Sequence, residues 1–364
     1  MKVLLDPSSL KSGFYGGALI GLSSAVLFWS VGQTLGVSSI LRETLRGKAT
    51  WQVSFLAGLS SAGAILANVS PSVFGSSPAV AVGAPAILGL ITSGVLVGYG
   101  TAEGGGCTSG HGVVGLARLS PRSAAAVCTF MAAGALVAGA SQQLVMRAAT
   151  GFGVPLGGGG IVMGLFAATA PLLLSVTLGG LWSGSQKRTS DTPTTVPSTP
   201  SIPFPSSRPA TTSEHIVALC SGALFGIGLG ISGMANPSKV RAFLDFTSPG
   251  GWDPTLAFVM GGAVCVSTLS FYIAHKMGRD MPPLCALKEE RTPLAEKFAY
   301  GKAPPNLVFS TALFRGALIF GAGWGLAGYC PGPAILSASA GSSAAGIVFA
   351  SIIAGALIHE TISK

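Results

Sequence analysis

Charged side chains are scarce in this chain of 364 residues, since Asp, Glu, Lys and Arg together make up only 9% of it. Ordinary soluble domains carry roughly 25% charged residues. The chain is instead 49% hydrophobic, holds 53 glycines and has a mean hydropathy of +0.63. This composition excludes a soluble globular domain. It predicts an all-α integral membrane protein, because helices satisfy their own backbone hydrogen bonds in lipid.

Several common functional motifs are also missing. The six cysteines form no Cys-x-x-Cys pair and have no His at zinc-ligand spacing, which argues against a disulfide scaffold, a structural metal or a thioredoxin-like centre. The glycine-rich stretches lack the Gly-Lys-Ser/Thr of a phosphate loop. Lys and Arg are scattered, so the net charge of +9 is better explained by membrane topology than by nucleic-acid binding. We therefore expect no enzyme, no cofactor, no metal and no nucleic-acid partner.

Long apolar stretches take the place of these motifs. Nine are long enough to cross a bilayer, which needs roughly 17 to 25 residues. The N-terminal residues are too short for a cleaved signal peptide, so the first stretch is expected to direct its own insertion. The predicted spans are residues 13–36, 51–69, 83–99, 123–146, 160–182, 215–235, 253–274, 305–324 and 343–359.

The chain divides into two similar parts. Ser183 to Ser213, in which 21 of 31 residues are Ser, Thr or Pro, cannot bury a core and is predicted to be disordered. We assign residues 1–182 to a first repeat with a connecting span, 183–214 to a linker and 215–364 to a second repeat. Because the connecting span is a fifth crossing, the second repeat begins on the opposite side of the membrane, as in inverted-topology transporters.

The distribution of Lys and Arg predicts the orientation. Fifteen of the 21 fall on one predicted side of the membrane and five on the other, while Arg315 lies inside a span. Cytoplasmic loops carry the excess of these residues. We expect a multi-pass protein of the plasma membrane with its N-terminus outside and its C-terminus in the cytosol.

Two matching segments each carry one cysteine. In residues 98–111 and 321–334 an apolar run breaks into glycines, and a cysteine follows nine residues after the first glycine, at Cys107 and Cys330. Each segment leads to a Ser-Ala-Ala at which an apolar run resumes. Non-helical backbone at membrane depth is tolerated only where it is buried or lines a cavity. We therefore expect both breaks to begin at Gly98 and Gly321 and to form re-entrant segments.

The chemistry expected at these breaks is anion binding. A helix restarting after each cysteine points an N-terminus, with about half a positive charge and free N–H groups, toward the membrane centre. Thr108, Ser109 and Gly110 suit a helix cap, and Pro331 or Pro333 suits a first turn. A thiol is a weak, polarizable donor that suits a sulfur-bearing anion. The alternative is that each cysteine is only a small apolar residue at a helix interface, which is the reading we prefer for Cys128, Cys220, Cys265 and Cys285.

Three ionisable residues near the breaks leave alternatives open. His111 could donate to the anion, gate its entry by protonation or cap a backbone carbonyl. Glu103 would repel an anion, so an ion pair or a position at the cytosolic mouth is expected. Arg315 could attract the anion, bind a carbonyl or extend toward the interface.

The motif GCTSGHGVVGLARLSPRS at 106–123 resembles the YeeE/YedE family of thiosulfate and sulfur-compound transporters. The second half is similar to that family's partner component through GISGMANPSKVRAFLDF at 230–246, WDPTLAFVMGG at 252–262 and YCPGPA at 329–334, so the resemblance implies a fusion of two half-transporters. The resemblance covers nearly the whole chain except the linker. It implies nine transmembrane helices with short re-entrant helices, and cysteines that pass thiosulfate along a central path. Cys107 and Cys330 match two of these cysteines, whereas the family's third, after the first span, is replaced by Gly36-Val-Ser-Ser39.

From the residues and the resemblance together, we predict a permease that imports thiosulfate or a related sulfur-containing anion. A general anion channel and a membrane thiol oxidoreductase are the alternatives. The expected partners are this anion, membrane lipid and a cytosolic sulfur-accepting protein. The predicted substrate-binding residues are Cys107, Thr108, Ser109, Gly110, His111, Ser232, Gly233, Met234, Cys330, Pro331 and Gly332.

Overall fold

The computed structural model describes residues 3–47, 51–75, 84–149, 210–248, 250–276 and 309–363. Within these ranges the chain forms helices joined by short turns, with one short 3₁₀ turn at Pro71–Phe74. The helices are α1 (Pro7–Val31), α2 (Val37–Leu45), α3 (Trp51–Val69), α4 (Ala84–Gly104), α5 (Thr108–Gly115), α6 (Pro121–Ala149), α7 (Thr212–Ile231), α8 (Pro237–Leu244), α9 (Thr255–Lys276), α10 (Thr311–Ala327), α11 (Pro331–Ser339) and α12 (Ser343–Ile362).

The long helices confirm the predicted fold class of an all-α integral membrane protein. In the described ranges, seven helices are long and apolar enough to cross a bilayer: α1, α3, α4, α6, α7, α9 and α12. Helix α10 has 17 residues, or about 26 Å at the usual rise per residue, which is close to the thickness of the hydrocarbon core. The predicted span at 160–182 and the linker up to residue 209 lie outside the described residues.

Local capping explains where the helices begin and end. Helix α1 starts at Pro7, six residues before the predicted span, because the Asp6 carboxylate accepts hydrogen bonds from the N–H groups of Ser8 and Ser9. Helix α7 starts at Thr212 with a capping box between Thr211 and Glu214. Helix α7 therefore begins three residues before the predicted span at 215–235.

The two halves of the bundle are built alike. Helices α1 to α6 correspond in order to α7 to α12, with a short helix in second and fifth place in each set. Helix α1 packs against α9, and its counterpart α7 packs against α3; α4 packs against α12, and its counterpart α10 packs against α6. The counterparts α1 and α7, and α4 and α10, also pack against each other. The packing pattern is thus unchanged when the two halves are exchanged.

The corresponding helices run in opposite directions. Ser23 of α1 donates to the carbonyl of Ser221 near the middle of α7, while Gly16 lies against Gly228 nearer that helix's C-terminal end. In the same way α4 and α10 meet antiparallel. A two-fold axis along the membrane normal would make corresponding helices run parallel. The antiparallel helix pairs instead require an axis in the membrane plane, which is the symmetry of an inverted repeat.

Glycine permits the close approach of these helices. A Cβ placed on Gly98 of α4 would lie 2.0 Å from the carbonyl oxygen of Ile352 on α12. A Cβ on Gly58 of α3 would lie 2.0 Å from the carbonyl oxygen of Leu219 on α7. Small residues at helix interfaces serve this purpose in membrane proteins. Much of the chain's glycine content is therefore explained by packing between the halves.

Candidate functional site

Both cysteine segments contain a short break between two helices. Helix α4 runs through Gly104, and the chain then turns at Gly105, whose φ is +76°, before Cys107 and α5. Helix α10 runs through Ala327 and turns at Gly328, whose φ is +75°, before Cys330 and α11. Such positive φ values favour glycine. At Gly328 any side chain would also meet the carbonyl oxygen of Pro237 at 2.5 Å.

The breaks are shorter than the sequence predicts. Gly98 and Gly321 were expected to open them, but both lie inside continuous helix, and the turns come at Gly105 and Gly328. The physical reason is that the earlier glycines serve helix packing: a Cβ on Gly321 would lie 2.4 Å from the carbonyl oxygen of Phe130. Glycine in a helix and glycine in a break cannot be distinguished by residue type alone.

Each cysteine is the N-cap residue of the short helix that follows it. Cys107 and Cys330 both have extended backbones, and their carbonyls accept the N–H groups of His111 (2.9 Å) and Ala334 (3.0 Å). The cap therefore falls on the cysteines themselves rather than on Thr108, Ser109 or Gly110. Pro331 occupies the first turn of α11, as predicted.

The two cysteines face one cavity. Cys107 and Cys330 are 1% and 4% exposed, and both line the same small cavity. It lies between the short helices α5 and α11 and the long helices α1, α7 and α9. The other lining residues are Ile20, Val37, Thr108, Ser109, Val113, Phe225, Leu229, Met234, Val259, Met260, Ala263, Gly332 and Pro333.

Hydroxyl groups tie the two thiols to the surrounding helices. Thr108 donates from Oγ1 to the sulfur of Cys330 at 3.5 Å, so the N-termini of α5 and α11 meet at this point. The Cys107 sulfur lies 3.2 Å from Ser109 Oγ. Ser109 Oγ also accepts the N–H of Val37 at 3.1 Å, which brings the start of α2 to the same place. Three helix N-termini, each with a partial positive charge, therefore surround the cavity.

The cavity lining carries no formal charge. Its polar side chains are the two thiols and the hydroxyls of Thr108 and Ser109, and no Asp, Glu, His, Lys or Arg is among its lining residues. The first turn of a helix leaves its N–H groups without partners within the helix. In α11 both Pro331 and Pro333 lack an N–H, so Gly332 supplies the backbone donor there. Backbone dipoles, not cations, thus give the site its positive character.

Six of the eleven predicted site residues line the cavity: Cys107, Thr108, Ser109, Met234, Cys330 and Gly332. Ser232 and Gly233 do not, since Ser232 caps its own turn by donating to the Leu229 carbonyl and Gly233 has a φ of +76° beside the Lys239 side chain. Gly110 and Pro331 are buried next to lining residues without being among them.

His111 also lies away from the cavity. Its Nε2 is 3.3 Å from the Gly104 carbonyl oxygen and its Nδ1 is 3.1 Å from Ser123 Oγ. Because a carbonyl only accepts, Nε2 carries the proton and Nδ1 accepts from the Ser123 hydroxyl. Of the three roles considered, the structure places His111 as a cap on a backbone carbonyl. It holds α5 to the end of α4 and to the start of α6.

Sequence reasoning missed several apolar lining residues. Phe225, Val259 and Met260 lie on long apolar helices, so their spacing does not reveal which face lines the cavity, and Val37 lies at the first position of the short amphipathic helix α2. Met260 reaches from α9 to α5, where a Cβ on Gly112 would lie 2.6 Å from its methyl group. Together with Met234, it makes four sulfur-containing side chains around one cavity.

Three of the other cysteines lie outside the cavity, although not at the helix interfaces expected for them. Cys128, Cys220 and Cys265 are free and exposed on the outer faces of α6, α7 and α9. Cys285 lies outside the described residues.

Comparison with known proteins identifies the family. Residues 214–364 match the model of a family of unknown function, DUF6691. Two proteins of Xylella fastidiosa, from strains Temecula1 and 9a5c, are each described as a probable transporter and are 37% identical to this chain over 151 residues. That length is 42% of this chain and 91% and 92% of theirs. The chain belongs to the same family as these proteins.

A second relative in the Temecula1 strain, also described as a probable transporter, is 43% identical over 122 residues, which is 33% of this chain and 85% of its own. The chain is thus more than twice as long as the region it shares with these members of the family. No solved structure matches the chain.

Proposed function

We propose that this protein is a permease that imports thiosulfate or a related sulfur-containing anion through the cavity between its two halves. The observation that carries the proposal is that Cys107 and Cys330, one from each half, line the same buried space at the N-termini of two short helices. The family of probable transporters and the resemblance to the YeeE/YedE motifs support it.

The chemistry of the cavity suits a soft anion. Helix N-termini offer N–H donors and partial positive charge without the insertion cost of a cation, which is at least about 2.5 to 3.5 kcal/mol at the membrane centre. The sulfur atoms of Cys107, Cys330, Met234 and Met260 are polarizable and weakly hydrated. A terminal sulfur of thiosulfate can accept from a thiol, whereas its oxygens suit the N–H groups and the Thr108 hydroxyl.

The segment Gly36–Ser39 stands where the resemblance implies a third cysteine. The Gly36–Ser39 segment does reach the site, since Val37 lines the cavity and its N–H binds Ser109. An apolar contact thus replaces the third thiol. We therefore include related sulfur anions in the proposal beside thiosulfate itself.

Uptake of radiolabelled thiosulfate by a sulfur-auxotrophic bacterial host tests the proposal. The parent chain is compared with Cys107→Ala and Cys330→Ala, and with Cys220→Ala and Cys265→Ala as matched controls on exposed faces of the long helices. We expect uptake by the parent and both controls, and a loss of at least about tenfold in each cavity variant. Uptake that is unchanged in both cavity variants, at equal amounts of protein in the membrane, would overturn it.

The two alternatives give different results in the same cells. A general anion channel would carry sulfate and chloride as well as thiosulfate and would tolerate serine at both cysteines. A thiol oxidoreductase would cycle a disulfide between Cys107 and Cys330, both of which are free in the structure. Import across the plasma membrane and delivery to a cytosolic sulfur acceptor form part of the proposal.

A further inference from the structure

Three ionisable side chains meet beside the break that precedes Cys107, and none of them lines the cavity. Glu103, near the end of α4, binds the guanidinium of Arg315 on α10 through Oε1, with Nε at 3.0 Å. Its other oxygen, Oε2, lies 2.7 Å from Nε2 of His359 on α12. The Glu103 side chain is 8% exposed and that of His359 is 15% exposed. We call these three residues the Glu103 cluster.

The hydrogen bonds determine which nitrogen of His359 is free to take a proton. A carboxylate paired with arginine only accepts hydrogen bonds, so Nε2 of His359 must donate to Glu103. In the neutral ring, Nδ1 then carries the lone pair. This atom is buried, and it has no hydrogen-bond partner among the described residues. A second proton at Nδ1 would give an imidazolium held by the Glu103 carboxylate and by the C-terminal end of the α12 dipole.

Other charged groups nearby are already engaged. The Tyr99 ring of α4 meets the His359 ring edge-on, with centroids 5.1 Å apart. On α2, Arg46 pairs with Glu360 at 2.6 Å, and Arg42 donates to the Ala102 carbonyl at 3.2 Å. Ser363 Oγ is 3.3 Å from His359 Nε2. In the parts of the chain that the structure describes, helix α4 therefore presents the Glu103 carboxylate and the Tyr99 phenol to His359. The nearby cations on α2 and α10, Arg42 and Arg315, are bound to partners of their own.

An inverted repeat centred on the bilayer midplane would hold the cluster at membrane depth. Close contacts at glycines join α4 and α10 between Ser93 and Gly104, with their midpoint near Gly98. Glu103 is five residues from that midpoint, or about 8 Å at the helical rise. The axis of an inverted repeat lies near the bilayer midplane, so this distance is well inside the hydrocarbon core. Ionisable residues at such depth are costly and are associated with ion and proton pathways.

The cluster is next to the substrate path. Gly104 follows Glu103 directly, and its carbonyl accepts from His111 Nε2 and from Arg122, each at 3.3 Å. Cys107 is four residues after Glu103. A weaker or stronger interaction of Glu103 with α10 and α12 would therefore shift the turn that positions the Cys107 thiol at the cavity.

The second half has no such cluster. Leu326 lies four residues before Cys330, as Glu103 lies four before Cys107. By the same comparison, Thr92 corresponds to Arg315 and Leu136 to His359. A cluster needed only for folding of an inverted repeat would be expected at both ends. Its presence at one end makes the two ends of the path chemically different.

We propose that the Glu103 cluster is a proton-binding site, and that a proton taken up at Nδ1 of His359 accompanies the anion across the membrane. This inference rests on the proposed transport function and adds its driving force. Proton binding makes the cluster net positive, since one carboxylate then faces two cations, and this attracts an anion to the adjacent path. Release of the proton at the far side of the transport step returns the cluster to neutrality.

Purified protein in lipid vesicles that enclose a pH-sensitive dye tests the inference. The parent is compared with His359→Gln, whose side-chain amide can still donate to Glu103 but does not titrate. The control is His215→Gln on α7, where the ring binds Ser54 at 2.7 Å, away from the cluster. For the parent and the control, we expect an inward thiosulfate gradient to acidify the vesicle interior and an inward proton gradient to accelerate thiosulfate uptake several-fold. For His359→Gln, we expect thiosulfate uptake without either effect.

Failure of the inference and failure of the transport proposal are distinguishable. Parent uptake of thiosulfate with no proton movement, or proton movement retained in His359→Gln, would overturn the proton site and leave transport standing. NMR of histidine-labelled protein without substrate gives a second readout, with the His359 signal assigned by its loss in His359→Gln. A His359 signal that changes from the neutral to the doubly protonated ring as protons are added supports the site even where thiosulfate is not carried. A ring that stays neutral contradicts it.

Discussion

Thr108 and Cys330 are 222 residues apart in the chain, yet the Thr108 hydroxyl donates to the Cys330 sulfur at 3.5 Å. This contact joins the first turn of α5 in one half to the N-cap of α11 in the other. It places a donor from the first half beside the thiol of the second. The cavity is therefore shared by the halves rather than contained in either one.

Replacing Thr108 with valine should weaken substrate binding without disturbing the fold. Valine has nearly the same shape but lacks the hydroxyl, which lies at the cavity and organises the Cys330 thiol. One hydrogen bond contributes about 1 kcal/mol, so we expect the KM for thiosulfate to rise about fivefold, while Thr108→Ser stays close to the parent. The matched control is Thr129→Val, whose hydroxyl donates to the Ala125 carbonyl on α6. Equal KM values in Thr108→Val and its control would contradict this role.

Alanine at Gly98 should destabilise the protein, whereas alanine at Gly89 on the same helix should not. A Cβ at Gly98 would lie 2.0 Å from the Ile352 carbonyl oxygen, while nothing lies within 4 Å of a Cβ at Gly89. Overpacking typically costs about 1 to 3 kcal/mol, and alanine in an exposed helix position gains up to about 1 kcal/mol over glycine. Thermal unfolding in detergent measures both. Similar midpoints for the two variants would show that α4 and α12 are less tightly packed than the structure indicates.

Alanine at His111 should affect stability rather than affinity. The ring joins the Gly104 carbonyl to the Ser123 hydroxyl, and it does not line the cavity. Loss of two buried hydrogen bonds should lower the free energy of unfolding by about 2 kcal/mol. The variant that remains folded should keep the parent's KM for thiosulfate. A normal unfolding midpoint with a raised KM would instead assign His111 to substrate binding.

The orientation of the chain is a prediction that a topology experiment tests. The excess of Lys and Arg on one predicted side favours an external N-terminus and a cytosolic C-terminus. Reporter enzymes fused to either end, one active only in the cytosol and one only outside, measure this directly. Activity of the cytosolic reporter at the N-terminus would reverse the assignment. It would also move the Glu103 cluster to the opposite face of the membrane.

The duplicated pattern in the sequence is what made the architecture predictable. Two cysteines at equal spacing after glycines, each in an apolar run, placed Cys107 and Cys330 at matching breaks before any coordinates. The boundary of α3 at Trp51 and Val69 also agrees with the predicted span, because its flanks are polar. Long apolar runs and repeated motifs are local properties, so they can be recognised in a single chain.

Contacts between particular faces of neighbouring helices could not be predicted from these local patterns. Met260 lies on an apolar helix whose spacing favours no face, and its contact with α5 exists only in the folded bundle. An ion pair was one of the two expectations for Glu103, and Arg315 provides it. The second partner, His359, is 256 residues away, and no local pattern in the sequence connects the two. Gly98 and Gly105 are both glycine but have different roles: Gly98 permits helix packing, and Gly105 permits a turn.

Equilibrium binding of thiosulfate to the purified protein tests most directly the claim that both thiols contact the anion. Dissociation constants would be measured for the parent, Cys107→Ala, Cys330→Ala and the exposed control Cys220→Ala. We predict that each cavity variant binds thiosulfate at least about tenfold more weakly than the parent and the control, and that sulfate competes poorly with thiosulfate in the parent. Equal affinity in all four proteins would contradict the account.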